Sequence, residues 1–258
     1  MAEIVALVDY GAGNLHSVES ALRAAGARGV RVTSDPLVVR AADRIVLPGV
    51  GSFKACAEGL RGLAGMTEAM AERVHVGAAP FLGICVGMQL LASRGVEHGT
   101  TEGLDWIPGE VRRIESTDPA IKVPHMGWND VSPMRHADGA QLIDPGEAYF
   151  LHSYHLVPDQ GRHIAAMTDH GGGIIAAVAR YDHRRAVPSG EEPGLWTGVS
   201  GAVSGVEAVI LPGTGRGTIR RMVEGHVPQS APSRRSAMPP APLHHAPHGP
   251  PPPSEEDL

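Results

Sequence analysis

The chain is short of several things, and each shortage closes off a class of function. Basic residues do not outnumber acidic ones: 22 Lys and Arg stand against 28 Asp and Glu, for a net charge of −6. That balance points away from nucleic acid and from membrane surfaces as partners. No apolar run approaches the roughly 18 residues that a membrane helix needs. Only two cysteines, Cys56 and Cys85, occur in 258 residues. This excludes a disulfide framework and fits a reducing, cytoplasmic setting. The opening residues are too short a run and too acidic for a signal peptide, and Ile4–Val8 reads instead as a first core strand. None of His125, His152 and His155 pairs with another His or Cys at metal-ligand spacing, and neither a metal nor a cofactor is expected. His125, His152 and His155 read as loop or interface residues, and His244, His245 and His248 as an adventitious patch. Gly11 and Gly13 lack the third glycine of a dinucleotide loop.

What is present centres on Gly83-Ile84-Cys85-Val86-Gly87-Met88-Gln89. An apolar run, Pro80-Phe81-Leu82, leads in, and a helix-like run from Met88 to Ala92 leads out. Such a strand-to-helix corner, a nucleophile elbow, presents one side chain at its tip, and flanking glycines let the backbone bend without clash. The side chain here is a thiol, and the positive end of the following helix favours its thiolate. Cys56, in a helix-like stretch, reads as structural.

Around the elbow the chain alternates between strand and helix. Ile4–Val8 is apolar. Asn14 is placed to cap a helix carrying Leu15, Val18 and Leu22 at helical spacing, and Gly26 stops it. Arg44–Leu47 is the next strand, closed by Pro48-Gly49-Val50-Gly51. Leu60–Val76 is helical with interruptions. This order implies a mostly parallel sheet with helices on both faces, which binds ligands at the carboxyl ends of its strands. Both the Pro48–Gly51 loop and Cys85 fall at such ends. Short β runs follow at Glu110–Ile114, Ala148–His152, Ile164–Met167 and Ile174–Val178. From His183 the composition changes: the last 76 residues hold 13 of the 22 prolines. The division expected is a domain over 1–182 and a disordered or out-of-frame tail over 183–258.

The elbow, the Pro-Gly-Val-Gly loop and three further segments together resemble the class I glutamine amidotransferases. The segments are Val8-Asp9-Tyr10-Gly11-Ala12-Gly13-Asn14-Leu15, Pro124-His125-Met126-Gly127-Trp128-Asn129 and Tyr149-Phe150-Leu151-His152-Ser153-Tyr154. Within that family the chain is similar to the glutaminase subunits of imidazole glycerol phosphate synthase, over residues 1 to about 180. The resemblance implies a flavodoxin-like α/β domain in which Cys85 attacks the side-chain amide of glutamine and releases ammonia. It implies an oxyanion site at the backbone of Val50, Gly51 and Val86. Gly51, Gln89, Ser153 and Tyr154 would bind glutamine. His125, Trp128, Asn129 and Tyr149 would face a cyclase subunit, a (β/α)₈ barrel that receives the ammonia in histidine biosynthesis, giving a heterodimer.

One element of the resemblance is missing. The family closes its site with His-Pro-Glu, usually within Gln-Phe-His-Pro-Glu-Lys-Ser, where His is the base for the thiol and Glu orients it. No His-Pro-Glu occurs in this chain. After Arg180 come Tyr181, Asp182, His183 and Arg184, and His183 has no acidic neighbour at the family spacing. Yet codons for Arg184–Val209, read one base later, can spell AVQFHPEKSQGYGLGCLARFLEWKP followed by a stop. The expectation is therefore a one-base frameshift near codon 183 and a crippled glutaminase. A non-catalytic cyclase-binding subunit and another cysteine-dependent amidohydrolase are the alternatives.

Overall fold

The computed structural model describes residues 3–116, 118–135, 143–181, 195–199, 202–203 and 206–207. The first half is the alternating pattern read from the sequence. Strand β1 (Val5–Val8) leads to helix α1 (Leu15–Ala24), β2 (Val30–Thr33), α2 (Pro36–Arg40) and β3 (Arg44–Leu47). Then come α3 (Phe53–Gly62), α4 (Met66–Ala71) with a π turn over Glu72–Val76, β4 (Phe81–Ile84) and α5 (Val86–Gln89). Asn14 caps α1 as expected, its side chain accepting from Ser17 N–H. Two elements had no counterpart in the sequence reading, β2 and α2. The second starts on a local signal, Asp35 accepting from Leu37 N–H with Pro36 in the first turn.

Strands β1 to β4 pair in parallel, in the order β4-β3-β1-β2. Their side chains divide between two cores. Ala6, Val8, Ile45, Leu47 and Phe81 pack with α3 and α4 through Phe53, Cys56, Leu60 and Met66. Val5, Leu7, Val46, Leu82 and Ile84 pack with α1 through Val18, Ala21 and Leu22. A strand buried on both faces must be apolar throughout, which is why these four-residue runs were legible. Each fully buried Leu or Phe contributes about 1.5–3 kcal/mol. Cys56 lies wholly inside the first core.

The second half adds antiparallel strands: β8 (His125–Pro133), β9 (Gly146–His152), β11 (Ile164–Asp169) and β12 (Gly173–Tyr181), joined in the order β9-β8-β11-β12. A smaller sheet, in the order β10-β7-β5-β6, joins β10 (Tyr154–Pro158), β7 (Gly109–Arg113), β5 (Arg94–Gly95) and β6 (Thr101–Glu102).

Most of the tail expected from residue 183 lies outside the described residues, as does His183. The described pieces are strands: β13 (Leu195–Val199), β14 (Ala202–Val203) and β15 (Val206–Glu207). β13 sits between β12 and β4, antiparallel to the first and parallel to the second, with Val199 level with Ile84. The sheet therefore does not end at residue 182. The physical reason is backbone pairing: a gap between two buried strands leaves N–H and C=O groups unsatisfied on both sides, and Leu-Trp-Thr-Gly-Val is a strand-forming run that can fill it.

Candidate functional site

Because β1, β3 and β4 run parallel, the loops after Val8, Leu47 and Ile84 emerge at the same edge. Cys85 stands at this edge with φ 54° and ψ −117°, a backbone setting that a side-chain-bearing residue adopts at a cost of about 1–3 kcal/mol. The bend is thus carried by the cysteine itself. The glycines around it serve contact instead. A Cβ on Gly87 would lie 1.9 Å from the Leu47 carbonyl oxygen, and one on Gly83 2.6 Å from the Gly87 carbonyl oxygen. A Cβ on Gly49 would come within 2.6 Å of Gly87 N. Three missing methyls let the Pro48–Gly51 loop lie backbone to backbone against the elbow.

That loop is pinned from several directions. The buried Tyr10 hydroxyl donates to Pro48 O at 2.6 Å. Cys56 Sγ donates to Val50 O at 3.3 Å. Just beyond, Phe53 N–H donates to the Glu97 carboxylate at 2.7 Å. Gly51 itself is in the left-handed region at φ +102° with open space where a side chain would be. Among the described residues the N–H groups of Gly51 and Val86 have no backbone acceptor, leaving them available to a ligand oxygen.

The helix behind Cys85 is shorter than expected. It is one turn, Val86–Gln89, because Leu104, Trp106 and Ile107 N–H groups take the carbonyls of Leu90 and Leu91. A single turn carries only a small dipole, so the support it lends a thiolate is correspondingly modest.

A cavity of about 620 Å³ opens at this edge. Val50, Gly51, Cys85, Val86 and Gln89 line it, and Tyr149, Ser153 and Tyr154 close it from the second half of the chain. The fold thus gathers these residues from three separate segments into one pocket. Gln89 is buried, and its Nε2 donates to Tyr154 O at 3.0 Å. The sequence reading missed Asn14, Glu97, Pro124 and His152 as lining residues. Asn14, Pro124 and His152 stand inside segments already singled out, whereas Glu97 carries no local signal.

The residues expected at the partner face divide. Trp128 is exposed, at 54 %. It sits across from Tyr149 in the β8–β9 register, and Met126 sits across from Leu151, both of these exposed as well. Asn129 donates through Nδ2 to Asp169 O and is half-buried. His125 does not share that exposure: it is 2 % exposed, stacked between Phe150 at 4.6 Å and His170 at 4.1 Å. His155 is likewise buried. The reason is strand alternation, which turns Met126 and Trp128 outward and His125 inward.

Burial pushes His125 down to about 4, helped by the charge that His170 and His152 would carry. Burial also pushes His155 down to about 4, with His152 and Arg112 adding to the effect. His152 is lowered too, by burial first, against a raising contribution from the Tyr154 carbonyl. At neutral pH His125 and His155 are neutral in the fold, but they take up protons near 6.5 when unfolded. Their stabilisation is complete above pH 6.5 and is lost as pH falls toward 4. The melting temperature should fall steadily between pH 7 and pH 4.5; a flat profile there would mean these rings are not held neutral.

A thiol on a strained corner, with free N–H donors on two facing loops, is the arrangement of a cysteine-dependent acyl-transfer enzyme. The profile of the glutamine amidotransferase class I family matches residues 6–187, and the chain belongs to that family. It is 50 % identical over 178 residues to the imidazole glycerol phosphate synthase subunit HisH of Zymomonas mobilis, covering 68 % of this chain and 83 % of that one. The same-named subunit of Rhodospirillum rubrum is 50 % identical over 185 residues, covering 68 % and 86 %. Among solved structures, a glutamine amidotransferase matches with a TM-score of 0.54 at 15 % identity, over 77 % of this chain and 89 % of that one. A glutamine amidotransferase from Thermotoga maritima matches with a TM-score of 0.50 at 16 % identity, over 88 % and 83 %. These two likenesses speak for the fold alone. No helix among the described residues is long and apolar enough to cross a membrane.

Proposed function

We propose that this chain is the glutaminase subunit of an imidazole glycerol phosphate synthase. It would release ammonia from glutamine for a cyclase partner in histidine biosynthesis. The observation that carries the reading is the pocket itself, in which Cys85, the Gly51 and Val86 amides and Gln89 meet, in a chain half identical to subunits of that name. Cys85 sulfur adds to the amide carbon of glutamine. The oxygen that gains charge is received by the Gly51 and Val86 N–H groups. The C–N bond breaks as the nitrogen takes a proton and leaves as ammonia. Water then cleaves the thioester, returning glutamate and the thiol.

The partner surface is the outward face of β8 and β9, where Met126, Trp128 and Leu151 are exposed beside Tyr149. An aromatic anchor that becomes buried on association is typically worth about 2 kcal/mol or more. In a titration against the purified cyclase barrel, the chain should bind, and Trp128→Ala should weaken binding by about 10-fold or more. A chain that does not bind the barrel, or a Trp128→Ala variant that binds equally well, overturns this assignment.

The absence of His-Pro-Glu favours one second reading, a subunit that binds the cyclase and glutamine without turnover. Cys85-dependent glutamate release separates the two.

A further inference from the structure

The polar groups behind the pocket wall form an ordered series. Asn129 is fixed on two sides, its Oδ1 accepting from Asp130 N–H at 2.9 Å and its Nδ2 donating to Asp169 O. That same Nδ2 lies 3.1 Å from His125 Nε2, which must therefore accept. The His125 proton is then on Nδ1. Directly opposite in the strand register stands His152, the ring centroids 5.3 Å apart. His152 Nδ1 is 2.9 Å from Tyr154 O. A carbonyl only accepts, so Nδ1 holds the proton and Nε2 is bare. His125 Nδ1 and His152 Nε2 are both buried, and neither has a hydrogen-bond partner among the described residues. One is a donor and the other an acceptor, on neighbouring rings. Left apart, each forfeits the solvation it had in water; joined directly or through one water, both are satisfied.

The series ends at the site. Tyr154 O accepts from His152 Nδ1 and from Gln89 Nε2, and Gln89, Tyr154 and His152 all line the cavity with Cys85. We infer that His152, paired with His125, is a positioning residue for the glutamine pocket: it holds the Tyr154 carbonyl, which in turn commits the Gln89 amide nitrogen and leaves Gln89 Oε1 as the acceptor that meets substrate. The inference rests on the glutamine-pocket reading above. It makes His152 a residue that acts through Tyr154 and Gln89 rather than on the reacting atoms.

The test uses the full chain and needs no turnover. Iodoacetamide labelling of Cys85 is followed by mass spectrometry, with fully buried Cys56 as internal reference, and L-glutamine is titrated as protectant. His152→Ala should raise the glutamine concentration for half-protection by about tenfold, the loss of one buried hydrogen bond. His152→Asn, whose amide can donate as Nδ1 does, should recover most of it. Protection that His152→Ala leaves unchanged overturns the inference alone. Equal weakening by Ala and Asn also overturns it, because the donor would then not be what matters. No protection in the unaltered chain overturns the glutamine pocket and this inference with it.

Discussion

Restoring the reading frame by one base from codon 184 should raise glutamine turnover by about 10²–10⁴-fold over the chain as written, the usual worth of a positioned general base. In the chain as written codons 188–190 give Pro-Ser-Gly, which offers neither an imidazole nor a carboxylate. The shifted frame offers Gln-Phe-His-Pro-Glu-Lys-Ser, with base and orienter two residues apart. The match to the family profile ends at residue 187, a few residues beyond codon 184, from which the two frames differ. The measurement is glutamate release by both proteins at saturating glutamine, with the cyclase present. Equal rates would mean the chain as written finds its base elsewhere. Source DNA unable to spell the shifted frame across codons 184–209 would remove the premise.

The sequence carried the catalytic edge well and the hairpin behind it poorly, for a physical reason in each case. β1, β3 and β4 are buried on both faces, so each is a short unbroken apolar run followed by a glycine-bearing loop, and those loops line up at the site. β8 is different. It puts Met126 and Trp128 toward solvent and His125 toward Phe150, the reverse of the usual apolar-in, polar-out alternation. A strand with that inverted pattern does not announce itself as one. Nor could spacing alone reveal that Gly83 and Gly87 serve contact while Cys85 takes the strained dihedrals. Contact with Leu47 is a tertiary fact, 40 residues away in the chain. The single-turn length of α5 has the same origin, since the Leu104–Ile107 segment that captures its neighbouring carbonyls arrives from outside the local sequence. In the tail, proline content was a sound guide to composition, but the strand at Leu195–Val199 depends on a vacancy between β12 and β4 that no local pattern encodes.

Substituting Cys85→Gly in the frame-restored protein should do two opposite things at once. Glutamate release should fall to the uncatalysed background, because no thioester can form. The melting temperature should nevertheless rise. The φ of 54° and ψ of −117° at this position are costly for any residue with a Cβ and nearly free for glycine, so removing the side chain releases strain of about 1–3 kcal/mol. The lost thiol packs only partly against the cores, being half-buried, so less is given up than would be at a fully buried site. Cys85→Ala separates the two effects: it keeps the Cβ and hence the strain, and should abolish turnover without the gain in melting temperature. If Cys85→Gly melts no higher than Cys85→Ala, the corner is not strained in solution. If either variant still releases glutamate at a rate the cyclase can stimulate, the thiol is not the nucleophile. The sharp corner exists because the chain holds a side chain where backbone geometry disfavours one. That is the expected signature of a position chosen for chemistry at the expense of stability.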